Sequence, residues 1–167
     1  FLEINILHEL INEKLFELDS VVLFSSDQKG ANDFLQKTDT VYEGELLKKL
    51  IEKKYQLPVE LKVYSKDIGD MDKLCGFYRR FLKDKLQKNG NESGFIICDA
   101  GGAPYQKTAL KLMTEFIVPD EQYAFYNIVN GKKGLQKVSN LEYRRMIAAI
   151  TINQLINSTN YGAAIDI

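Results

Sequence analysis

The sequence has little of what several common functional classes require. His8 is the single histidine among 167 residues, so a Ser-His-Asp triad would have to use it. No group of residues has metal-ligand spacing, and no apolar run approaches the roughly 18 residues of a membrane span. The 22 lysines and arginines are balanced by 23 acidic residues, which argues against binding to long nucleic acid. We therefore predict no metal site, no membrane partner and no long nucleic acid bound by this chain.

Cysteine is also scarce. Cys75 and Cys98 both lie in apolar patterns, and we interpret them as reduced, buried thiols of a cytoplasmic protein. The composition, 45% hydrophobic with a net charge of −1, is ordinary for a globular chain. A chain of this length fits one domain that buries roughly 70% of its unfolded surface. Because it begins at Phe1 and stops inside an apolar run, we expect it to be a piece of a longer protein.

Short apolar runs alternate with segments of helical periodicity along most of the chain. The predicted strands are 21–24, 59–64, 95–98, 123–129 and 135–139, and the predicted helices are about 3–17, 39–57, 70–88, 104–118 and 141–156. A glycine-containing turn at 130–134 predicts a hairpin between the last two strands. This order predicts a Rossmann-like α/β fold, with a mostly parallel sheet, helices on both faces and a C-terminal β-hairpin.

The turn after the strand at Phe95 is the most informative motif. Asp99, Ala100, Gly101 and Gly102 follow that strand, and Pro104 opens the next helix. Glycine allows a ligand to approach the backbone, proline suits the first helical position, and the amides of a helix start attract phosphate. Lys107 is placed to project from the first helical turn. The alternative is a plain tight turn, because the spacing matches neither GxGxxG nor a P-loop.

A second polar cluster follows the strand at Val21. It begins with Ser25, Ser26, Asp27 and Gln28 and continues to Thr38, Asp39 and Thr40. Ligands of open α/β sheets bind beyond the carboxyl ends of the strands, so we expect this cluster and the glycine turn to share one edge. A connection this long is often a binding loop. Helix capping by Thr38 or Asp39, with a Thr40–Glu43 capping box, is the alternative for part of it.

Taken in order, these motifs resemble the CRISPR-associated Rossmann fold (CARF) domain, the sensor domain of ancillary type III CRISPR proteins. Ala103 stands where that family usually has threonine. The ligand-binding residues that the resemblance implies are Ser25, Ser26, Asp27, Gln28, Thr38, Asp39, Thr40, Asp99, Ala100, Gly101, Gly102, Ala103, Pro104, Gln106 and Lys107.

The resemblance implies a cytoplasmic homodimer that binds a cyclic oligoadenylate, the tetra- or hexa-adenylate, across its twofold axis, with no other cofactor. Binding would control an effector, typically a nuclease, in antiviral defence. Residues 1–157 would form the sensor, and 158–167 would begin the connection to an effector absent from this chain. Three alternatives stay open: a ring nuclease that cleaves the same ligand, a Rossmann-like metabolic enzyme that binds a mononucleotide, and the ligand-sensing half of a transcription regulator.

Overall fold

The computed structural model describes residues 2–12, 16–29, 39–89, 94–98, 101–128, 135–138 and 141–157. The chain divides into two compact units, Phe1–Lys137 and Val138–Ile167. The elements are α1 Leu2–Asn12, β1 Val21–Ser26, α2 Val41–Tyr55, β2 Val59–Tyr64, α3 Met71–Asn89, β3 Phe95–Cys98, α4 Pro104–Ile117, a 3-10 turn Asp120–Gln122, β4 Tyr123–Ile128, β5 Leu135–Val138 and α5 Leu141–Asn157.

The strands confirm the predicted α/β class. β1 and β2 pair in parallel, from Val21 opposite Val59 to Ser26 opposite Tyr64. β3 and β4 also pair in parallel, starting with Phe95 opposite Tyr123, and β5 lies beside β4. The described strands therefore form a two-stranded and a three-stranded sheet rather than one continuous sheet. The predicted hairpin turn at 130–134 and the predicted linker at 158–167 lie outside the described residues.

Helices cover both faces of the β1–β2 pair, as the period-2 alternation of its side chains requires. On one face, Leu23 and Val59 belong to a cluster with Leu7 of α1 and Leu47 of α2. On the other face, Phe24 makes edge-to-face ring contacts with α3 at centroid distances of 5.0–6.1 Å. The strands thus form the middle layer between α1 and α2 on one side and α3 and α4 on the other.

That second face carries a cluster of five buried side chains, which we call the central cluster. Its members come from β2, the loop after it, α3 and α4: Tyr64, Ile68, Leu74, Tyr78 and Ala109. Phe24 at the end of β1 and Ala103 before α4 both pack against it. A residue of β1 and a residue after the glycine turn therefore contact the same apolar cluster.

Two further findings concern the cysteines and the lengths of the helices. Cys75 and Cys98 are half-buried and form no disulfide, and burial raises the pKa of the Cys75 thiol. Among the described helices, none combines the length and the apolar character that crossing a membrane demands.

Candidate functional site

The end of β1 is joined to the start of α2 through Ser26 and Thr40. The Ser26 amide donates to Thr40 Oγ1 at 3.0 Å, and the Thr40 amide donates to the Ser26 carbonyl at 2.9 Å. Thr40 precedes the first residue of α2, yet its side chain makes no capping hydrogen bond to that helix. The alternative of a Thr40–Glu43 capping box therefore does not hold, because Thr40 Oγ1 is turned toward the strand.

Asp39 supports the same junction from the other side. Its Oδ2 accepts from the Gln28 amide at 3.0 Å, and its Oδ1 accepts from the Val41 amide at 3.2 Å. The hydrogen bond from Gln28 is the main cause that holds the pKa of Asp39 below its usual value, and the one from Val41 adds to it. The capping interpretation holds for Asp39, because its carboxylate receives the first amide of α2.

Gln28 connects the loops that follow β1 and β2. Its side chain is 4% exposed, and its Nε2 donates to the carbonyls of Asp27 and Lys66, both at 2.9 Å. Sequence analysis missed Lys66 here, because a contact made by a backbone carbonyl leaves no mark on residue type. The donors of Gln28 are thus used to fix the loop. Lys29 beside it is exposed.

Ser25 and Ser26 are almost fully buried, at 3% and 1% exposure. Gly44 of α2 lies against Ser25, and a Cβ at that position would overlap the Ser25 hydroxyl and stand 2.9 Å from Leu61 Cδ1. A glycine inside a helical pattern often has a packing reason, so Gly44 was the sequence signal that could have indicated this close contact between α2 and β1. The two hydroxyls are therefore part of the packing between β1 and α2, while the predicted residue Thr38 lies outside the described part.

The glycine turn has the backbone geometry that its sequence predicts. Gly102 has φ +86°, a conformation that residues with a Cβ rarely adopt. Ala103 is the N-cap residue of α4, and the exposed Pro104 occupies its first helical position. Gly101 also lies in the described turn, whereas Asp99 and Ala100 do not.

Gln106 gives the start of α4 an unusual feature. Its Oε1 accepts from the Ala103 amide at 3.3 Å, which is one half of a capping box. Its side chain is 7% exposed, and its buried Nε2 has no hydrogen-bond partner among the described residues. A buried donor without a partner is costly. An acceptor oxygen supplied by a ligand at the helix start would remove that cost.

Lys107 completes the group at the start of α4. It is half-buried in the first helical turn, and its amide donates to the Ala103 carbonyl at 3.1 Å. Helix geometry leaves the amides of Tyr105 and Gln106 without an acceptor inside the helix. Together with the helix dipole, these amides, the Gln106 Nε2 and the Lys107 ammonium form a set of donors suited to an anion. No group of metal-ligating side chains is found within the described residues.

Comparison with known proteins shows similarity at the level of structure. The chain is similar to Csm6 from Enterococcus italicus, solved bound to cyclic hexa-2'-fluoro-hexa-dAMP, with a TM-score of 0.64 and 17% sequence identity. The similarity covers 97% of this chain and 43% of that one, so this chain spans less than half the length of that protein. No family model and no curated protein matches the sequence.

Proposed function

We propose that this chain is a CARF-like sensor domain that binds a cyclic oligoadenylate, the tetra- or hexa-adenylate. The observation that carries the proposal is the similarity, over 97% of the chain, to a protein solved with a cyclic hexa-adenylate analogue. The motifs of the sequence point to the same ligand class independently. Phe24 of β1 and Ala103 at the start of α4 pack against the same central cluster, which supports a site shared by β1 and the glycine turn.

The ligand's phosphates are proposed to lie at the start of α4. There the Tyr105 and Gln106 amides face outward from the helix, and Lys107 supplies a positive charge. Gln106 Nε2 would donate to a phosphate or ribose oxygen of the ring, and its lack of a partner among the described residues supports this role. The β1 end contributes support rather than donors, because Asp39 and Thr40 already bond to its backbone.

A homodimer is proposed because one chain offers few cations at this edge. Among the described site residues these are Lys107 and Lys29. A ring of four or six phosphates needs more donors to offset its desolvation, and a twofold axis presents every group twice. The ring would then regulate an effector, typically a nuclease, that lies outside this chain.

The test is a calorimetric titration of the chain with cyclic tetra-adenylate and cyclic hexa-adenylate. Lys107→Ala should weaken binding about tenfold or more, because a charge-assisted contact is lost. It should also reduce the dependence of affinity on salt. Lys83→Ala is the matched control, because Lys83 is an exposed lysine of α3 remote in sequence from the turn. Failure of the unmodified chain to bind either ring would contradict the function, and equal effects of the two variants would remove Lys107 from the site.

A further inference from the structure

A groove runs along the outer side of β2, between that strand and α3. It consists of two depressions of about 360 and 260 Å³. Both are lined by Phe77 and Arg80, and together they extend from Glu60 to Lys66 along the strand. We call this the edge groove. None of its lining residues belongs to β1 or to the start of α4.

The backbone of β2 is open toward this groove. The Val21 amide donates to the Pro58 carbonyl and the Asp27 amide donates to the Tyr64 carbonyl, each at 2.9 Å. In a parallel pair this pattern alternates along the strand, so the backbone groups of Val63 and Ser65 point away from β1. Within the described residues β1 is the one strand paired with β2. The edge groove thus presents amides and carbonyls at the spacing of a β-strand.

The groove is also positively charged, in a chain whose net charge is −1. Six lysine or arginine side chains and three carboxylates line it. One of those carboxylates, Glu60, is held by Lys62 at 2.6 Å and by Lys85 at 2.8 Å. By contrast, no ion pair within the described part of the chain involves Lys66, Arg80 or Lys88. These three cations are available to a partner.

We infer that the edge groove is a docking site for an extended, acidic peptide segment of a partner protein, which adds to β2 as a further strand. Strand addition uses the open backbone groups for affinity and side-chain pockets for selectivity. Phe77 on the floor suits an apolar side chain, and the partner's carboxylates would meet Lys66, Arg80 and Lys88. At about 3.3 Å per residue the groove takes roughly seven residues. A nucleic acid strand suits it less, because it offers no backbone amides and carbonyls that match those of β2.

The probe is a fluorescein-labelled peptide of about seven alternating glutamate and valine residues, measured by fluorescence anisotropy. We expect saturable binding that Arg80→Glu weakens about tenfold, because an attraction becomes a repulsion. Arg79→Glu is the matched control, since Arg79 is the exposed neighbour of Arg80 in α3 and does not line the groove. Its affinity should stay within twofold of the unmodified chain.

A second arm leaves the protein unchanged. The same peptide with N-methyl groups on alternate residues keeps its charge but loses the amides that pair with β2, so one of the two methylation registers should abolish binding. Absence of binding by the unmethylated peptide would overturn the inference, as would equal binding of all peptides or equal effects of the two arginine variants. Tighter binding by a single-stranded RNA of the same charge would overturn it in favour of nucleic acid.

Discussion

Among the described residues, Gln106 combines a capping interaction with a donor that lacks a partner. Its Oε1 receives the Ala103 amide and so helps to start α4, while its Nε2 is buried without a partner among the described residues. Burying an unsatisfied donor costs about 1–3 kcal/mol. Capping does not require this donor, because a glutamate at the same position also accepts from the N-cap amide. We therefore propose that Nε2 donates to an acceptor of the ligand.

Gln106→Glu should separate the stability of the chain from its affinity for the ligand. The carboxylate keeps the bond from the Ala103 amide and interacts well with the positive helix start, which offsets the cost of burying its second oxygen where Nε2 lies. The chain should therefore stay folded, with a melting temperature close to that of the unmodified chain. Affinity for cyclic hexa-adenylate should fall more than tenfold, because a donor becomes a negative charge beside a phosphate. Thermal melts and calorimetry on the same preparation test both effects. A stable variant that binds normally would show that Gln106 does not touch the ligand.

The conformation of the glycine turn could be predicted from the sequence, but the burial of the side chains around it could not. Gly102 followed by Pro104 predicts a turn that opens a helix, and the positive φ of Gly102 bears this out. The family resemblance also implied Gln106 as a site residue. It gave no sign that Gln106 Nε2 is buried and has no partner among the described residues. Burial of one atom depends on the packing of the whole α4 start, which no local pattern encodes.

At the scale of elements, the junction between β1 and α2 depends on Asp39. This residue is bonded at the same time to the loop after β1 and to the first amide of α2. The hydrogen bonds lower its pKa in the folded chain. A depressed folded pKa means that the carboxylate adds stability above the unfolded value of about 4. That contribution disappears as the pH falls through the folded value.

Asp39→Asn should therefore lower the melting temperature by about 2–4 °C at neutral pH, the size expected for a lost capping charge in a chain of this length. The difference from the unmodified chain should shrink as the pH falls below about 4. Asp19→Asn, at an exposed aspartate outside this junction, should have no such pH-dependent effect. Melts from pH 7 to pH 3 measure this, and a difference that stays constant across that range would contradict the role assigned to the carboxylate.

The same junction shows where element-level prediction from sequence stopped. A long polar run after β1 predicts a binding loop, yet the described ends of that run are joined to each other, through Thr40 to Ser26 and through Asp39 to Gln28. Polar residues that bond to backbone and polar residues that meet a ligand have the same composition. The structure distinguishes the two cases, because it shows that the Gln28 side chain donates to the Lys66 carbonyl.

For the whole molecule, the order of strands and helices was predictable because each element buries one face. Leu23 and Phe24 are adjacent in sequence and lie in clusters on opposite faces of β1, which is what an alternating buried strand requires. The division of the strands into two sheets was not predictable, since pairing depends on register between distant segments. The fold is similar to that of Csm6 at only 17% sequence identity, because many different sequences satisfy the same pattern of buried and exposed positions.

The central claim is that two copies of this chain bind one cyclic oligoadenylate ring. Calorimetry with cyclic hexa-adenylate, performed together with light scattering on the same sample, tests it most directly. The account predicts a dimer that binds one ring per two chains, with tight binding lost when the dimer dissociates on dilution. A monomer that binds one ring per chain with high affinity, or a chain that binds neither the hexa- nor the tetra-adenylate, would contradict it.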